Sequence, residues 1–113
     1  MSNDLEGLHG LTASLDDIVH QKNRLGILTI LHEGRTVEFG YLKETLNLTA
    51  GNLSQHLSVL EDSGLIKIEK GYEGRRGKTW ITITRAGTKA LRAEVATLRT
   101  LLGLITMMEQ LKK

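Results

Sequence analysis

A chain of 113 residues, 40% hydrophobic and 25% charged, is sized for one soluble globular domain around one small core. No apolar run approaches the roughly 18 residues a membrane span needs, and the first fifteen residues hold no apolar signal block, so a cytoplasmic protein without membrane contact is expected. The lack of cysteine removes disulfides, thiolate metal sites and a cysteine nucleophile together, while the net charge of +2 hides an uneven distribution. Between Lys67 and Arg92 eight basic residues stand against two acidic ones, a net of +6 that leaves −4 on the other 87 residues. A basic segment on a slightly acidic body is the footprint of a polyanion binder.

Taken in chain order, residues 1–14 form an N-terminal arm in which Leu5, Leu8 and Leu11 suggest either a weak helix or a partly disordered segment. Ser14 and Asp17 in "SLDD" read as a helix start, and the apolar spacing from Ile18 to Leu31 predicts a helix over 15–32. That helix is either continuous or broken near Gln21 to Asn23, with Gly34 as its left-handed stop. "RTVEF" favours a short strand at Val37, and "FGYLKETL" a second helix. After the turn "NLTAGN", Thr49 caps a third helix that runs to about Ser63 and closes at Gly64. "LIKIEK" and "TWITIT" alternate, and so predict a hairpin with an eight-residue loop from Gly71 to Lys78. Pairing Ile68 with Ile81 gathers four isoleucines on one face and sets Trp80 on the other beside Glu69. Thr84 then caps a long helix that extends nearly to Lys113.

Helix, short strand, helix, turn, helix, hairpin and long helix make an α+β, mainly α fold. It is a winged helix-turn-helix with a three-stranded wing sheet over 15–84 and a dimerisation helix over 85–113. On the third helix Leu53, Leu57 and Leu60 form the inward stripe, leaving Gly51, Asn52, Ser54, Gln55 and Ser58 on a small, polar outward face with Thr49 at its start. Such side chains allow close approach and carry the donors and acceptors that base edges require. His56 lies about 60° off the leucine stripe, on its shoulder, as an anchor or phosphate contact. In the wing, Arg75 and Arg76 suit phosphates or a narrow minor groove, and Lys70 and Lys78 the flanking backbone. Trp80, beside Tyr72, reads as packing that stiffens the hairpin.

The segments "NRLGILTILHEG" and "LKETLNLTAGNLSQHLSVLEDSGLIKIEKGYEGRRGKTWITITRAGTKAL" resemble the winged helix-turn-helix transcriptional regulators of the MarR/ArsR-like group. The likeness runs from about Leu15 to Leu91 and is most similar to compact single-domain members. It implies a helix in the major groove of double-stranded DNA, a wing on the adjacent minor groove or backbone, and a homodimer through the terminal helices. Metal-sensing relatives use cysteine pairs or His/Asp sets. Here His9, His20, His32 and His56 have no ligand spacing, so neither a metal nor a cofactor is implied. The longer arms of drug-responsive members are missing too, and no effector is specified.

"GYEGRRGKT" imitates a phosphate-binding loop on paper, but its glycine spacing is one residue too long and Thr79 opens a strand rather than a helix. Nucleotide binding is rejected on that ground. On the last helix Leu91, Leu98 and Ile105 recur every seven residues, with Val95, Leu101, Leu102 and Met108 broadening the stripe. About 27 residues make a rod of about 40 Å, longer than a small winged core covers, so the stripe is assigned to a homodimer. The leading reading is a homodimeric, sequence-specific regulator of transcription. A winged-helix protein-interaction module is the alternative, and no catalytic set can be assembled for an enzyme.

Overall fold

The computed structural model describes residues 6–112, so Leu5 of the expected arm and the terminal Lys113 lie outside the described residues. The elements run α1 (Leu8–Ala13), α2 (Lys22–Gly34), β1 (Thr36–Glu38), α3 (Phe39–Thr45), α4 (Ala50–Asp62), β2 (Ile66–Glu73), β3 (Arg76–Ile83) and α5 (Arg85–Leu111). Among the described residues no helix is long and apolar enough to cross a membrane.

The first half of the chain departs from expectation at both ends of α2. Ser14 closes α1, its hydroxyl donating to the Leu11 carbonyl at 2.7 Å, and does not open the next helix. An irregular turn follows, in which the Asp16 carboxylate accepts the N–H groups of Ile18 and Val19 at 2.8 and 3.3 Å. That turn buries Val19 completely. α2 then starts from Gln21, whose side chain accepts from the N–H groups of Asn23 and Arg24 at 2.8 and 2.9 Å. The suspected break is thus the helix start. At the other end the left-handed residue is Arg35, with φ 69°, and not Gly34. Gly34 answers a packing need, because a Cβ there would come within 3.0 Å of Val37 Cγ2.

The helix-turn-helix forms as its capping residues dictate. Glu38 accepts from the Tyr41 N–H to open α3, and Thr49 Oγ1 accepts from the Asn52 N–H at 3.1 Å to open α4. α4 buries Leu53, Leu57 and Leu60 against Ile27, Leu28 and Leu31 of α2 and Leu42 of α3 in one apolar cluster.

The sheet has the order β1-β3-β2 and is antiparallel throughout. Ile68 faces Ile81, Ile66 faces Ile83 and Glu69 faces Trp80, as the alternation requires. The loop is much shorter than expected. Pairing continues to Glu73 opposite Arg76, leaving only Gly74 and Arg75 to make the turn. Gly74 has φ 64°, where a two-residue hairpin turn needs a positive angle. The wing is therefore a long two-stranded ribbon with a tight tip. Register also separates its aromatics: Tyr72 pairs with Gly77 on the isoleucine face, opposite to Trp80. Tyr72 is 80% exposed and braces nothing, whereas the Trp80 indole lies over Gly71.

Thr84 joins the sheet to α5. Its hydroxyl accepts from the Gly87 N–H at 3.0 Å and donates to the Gly64 carbonyl at 2.7 Å. Its own N–H donates to the Leu65 carbonyl at 3.0 Å. Gly87 is buried against that carbonyl, and a Cβ there would collide with the Leu65 oxygen. Further along α5, Glu94 is only 2% exposed, with Oε1 accepting from the Asp16 N–H at 3.2 Å and Oε2 2.7 Å from His20 Nδ1. A buried acid is thereby satisfied, and it clamps the turn before α2 onto α5. Gly87→Ala gains helix propensity yet should lower stability by about 2 kcal/mol, because the clash is with backbone that cannot rotate away. Thermal unfolding of the variant checks this, and an unchanged or higher Tm would show that the junction yields.

Candidate nucleic-acid interface

Two features of the fold carry the residues expected to touch nucleic acid, the outward side of α4 and the tip of the β2–β3 ribbon. On α4, Gly51, Asn52, Ser54, Gln55 and Ser58 are all exposed, as the wheel placed them, and Thr49 is exposed at its start. At Gly51 a Cβ built on the backbone meets nothing within 4 Å. The protein's own packing does not require glycine there, although glycine costs a helix about 1 kcal/mol relative to alanine. Val59, 37% exposed on the same helix, adds an apolar surface of the kind that meets a thymine methyl.

His56 turns toward the protein. Arg24 Nη1 lies 3.2 Å from His56 Nδ1, and the Asn23 carboxamide lies 3.4 Å from Nε2. A guanidinium can only donate, so Nδ1 must be the acceptor and Nε2 carries the proton. The Asn23 side chain then presents its oxygen to Nε2, the flip that makes the pair consistent. The other donors of Arg24 reach the carbonyls of Ile18 and Asp17 at 2.6 and 3.4 Å. His56 and Arg24 thus pin the start of α2 to the middle of α4, which favours the anchoring role. Arg24 itself lines a shallow cavity with Ser54, Gln55, His56, Ser58 and Val59. It brings a cation beside the candidate readers that sequence reasoning did not assign, because partners 32 residues apart leave no local pattern.

In the ribbon, Arg75 occupies the turn and Arg76 the first position of β3, both exposed. Among the described residues neither has a carboxylate partner within 4.0 Å. Lys78 differs, because its Nζ sits 3.1 Å from Glu73 Oε2 and part of its charge is already answered. Lys70 projects from the face opposite to Lys78, so the two lysines straddle the ribbon instead of converging. Exposed Tyr72 shares the Lys70 face and adds a hydroxyl and a ring to it.

On α5 the assignment of the apolar stripe has to be divided. Leu91 is buried in the core of its own domain and is not an exposed dimer contact, while Val95 is half-buried and packs in part against that core. Leu98, Leu101 and Met108 are half-buried, while Leu102 and Ile105 are 62% and 48% exposed. The apolar surface left over begins past the middle of the helix.

Burial lowers the pKa of His56 below its ordinary 6.5, and the nearby Arg24 charge lowers it further. The folded state therefore holds fewer protons than the unfolded one. The contribution is complete above pH 6.5 and is lost as pH falls from there through the depressed folded value. His56→Gln keeps an acceptor for Arg24 but cannot titrate. Between pH 7 and pH 5 the wild type should lose Tm faster than this variant, and parallel curves would contradict the reading.

Residues 23–102 match the family model described as a winged helix DNA-binding domain. Over 69 residues, 61% of this chain and 75% of the relative, the sequence is 45% identical to an uncharacterized protein of Methanocaldococcus jannaschii. The fold is similar to that of a transcriptional regulator homologue from Pyrococcus horikoshii OT3, with a TM-score of 0.77 and 31% identity over 87% of this chain and 95% of that one. It is also similar to a MarR-family regulator from Enterococcus faecalis V583, with a TM-score of 0.66 and 23% identity over 95% and 92% of the two chains. The chain belongs to the winged helix DNA-binding family of transcriptional regulators.

Proposed function

We propose that this DNA-binding regulator acts as a homodimer that reads a specific double-stranded sequence, with α4 in the major groove and the β2–β3 tip on the adjacent minor groove or backbone. The observation that carries the reading is the outward face of α4, where Gly51 and Asn52 are exposed and the exposed Ser54 and Gln55 share a cavity with the cation of Arg24. Asn and Gln offer the paired donor and acceptor that suit adenine, and the small neighbours let them reach it. Arg75 and Arg76, which have no carboxylate partner among the described residues, supply sequence-independent attraction to phosphates at the ribbon tip. Pairing of two copies through the exposed stretch of α5 around Leu102 and Ile105 would set two α4 helices about 34 Å apart, one turn of duplex. A module that binds only proteins through the same face predicts no salt-dependent duplex binding.

The division of labour is testable on duplexes selected from random DNA. Arg75→Ala with Arg76→Ala should weaken all sequences alike and reduce the slope of log K against log salt by about 1 for each phosphate no longer neutralised. Gln55→Ala should instead cost about 1–3 kcal/mol at one or two base positions and relax selection there. If the double variant keeps the wild-type salt slope, the wing does not touch phosphate; if Gln55→Ala selects the wild-type sites, Gln55 is not a reader. For the dimer, Leu102→Glu with Ile105→Glu should halve the solution mass while leaving the far-UV circular dichroism intact. A wild-type mass at the monomer value, or no change in the variant, would remove α5 as the interface.

A further inference from the structure

The basic segment does not serve one surface. Its second half, Arg85, Lys89 and Arg92, follows at helical spacing on one face of α5, at the opposite end of β3 from the wing. Seven residues of strand separate Arg76 from Ile83, about 23 Å at 3.3 Å per residue. Arg35 reaches the same place from the end of α2, and with Thr88 these four cations line a concavity of about 470 Å³. Among the described residues none of the four has a carboxylate within 4.0 Å. Glu94 is spent on His20 and the Asp16 N–H, and Glu33 lines the adjoining groove.

Four like charges around one hollow repel one another in the free protein, a cost that a bound anion reverses. Arg35 is held there by its backbone. Its N–H donates to the Leu31 carbonyl and its carbonyl accepts from the Ile83 N–H at 3.2 Å, in a conformation with φ 69° that an arginine rarely takes. Guanidinium groups suit the two-pronged grip of a phosphate, and three of them stand with one lysine around this hollow.

We propose that this hollow, at the joint between the winged domain and α5, binds a small anion carrying phosphate groups, separately from the DNA surface. Pyrophosphate added to the full chain, against chloride at matched ionic strength, is the probe. At about ten times its Kd it should raise the Tm by about 5 °C or more. Arg85→Gln with Arg92→Gln should abolish the rise, and Arg92→Gln alone should diminish it. Arg75→Gln with Arg76→Gln should leave it in place. The absence of a rise in the wild type, its survival in the Arg85/Arg92 variant, or its disappearance in the wing variant would each overturn the proposal. A short duplex separates the two sources of phosphate. Duplex affinity should fall far more in the wing variant than in the Arg85/Arg92 variant. An equal fall would assign the cluster to the nucleic-acid backbone and sink the small-anion site.

Discussion

The Leu65 carbonyl is where the working parts of the molecule are tied together. It accepts the Thr84 N–H at 3.0 Å while the Gly87 Cα rests against it, and the Thr84 hydroxyl bonds the Gly64 carbonyl at 2.7 Å. Gly64, at φ 75°, has just turned the chain out of α4 and into β2. Within a few residues the end of α4, the base of the wing and the first turn of α5 are therefore fixed to each other. The angles between these elements follow from backbone hydrogen bonds at one point, which tolerate little change. Isoleucine pairing along the sheet then only has to carry that geometry outward to the tip.

Charge is distributed to match this frame. The outward face of α4 is small and polar, and burial and the Arg24 charge lower the pKa of the histidine on its shoulder. Arg24, at the start of α2, stands beside that face, and Arg75 and Arg76 are exposed at the ribbon tip. Glu94, the buried acid of α5, is turned inward and consumed by His20 and the Asp16 backbone. In the wing, by contrast, Glu73 answers part of the Lys78 charge and leaves Arg75 and Arg76 without a carboxylate among the described residues.

How much of this was legible depended on whether the signal was local. Alternation of isoleucines with polar residues is a local pattern, and it placed Ile68 opposite Ile81 and Glu69 opposite Trp80 correctly. The leucine spacing of α4 and the caps at Thr49 and Thr84 were equally readable. Glycine was the main source of error. Gly71, Gly74 and Gly77 read as parts of one eight-residue loop, yet only Gly74 has a positive φ, and Gly71 and Gly77 pair in the ladder. Gly34 likewise looked like a stop but answers the bulk of Val37, while a bond from Ile83 holds Arg35 in the left-handed turn. The start of α2 was hidden because glutamine is an uncommon cap beside the more familiar Ser14 and Asp17. The Glu94–His20 and Arg24–His56 pairs span 74 and 32 residues, so nothing in a short window announces them.

The second half of α5 projects past the domain core with Leu102 and Ile105 uncovered, and two copies joined there would present two recognition helices on one side of a duplex. Hydroxyl-radical footprinting of the full chain on a duplex selected from random DNA tests the central claim most directly. The account predicts two protected stretches about 10 base pairs apart and related by two-fold symmetry, one for each α4, with further protection where the ribbon tips reach the minor groove. A single footprint without two-fold symmetry, or no protection at low salt, would contradict it.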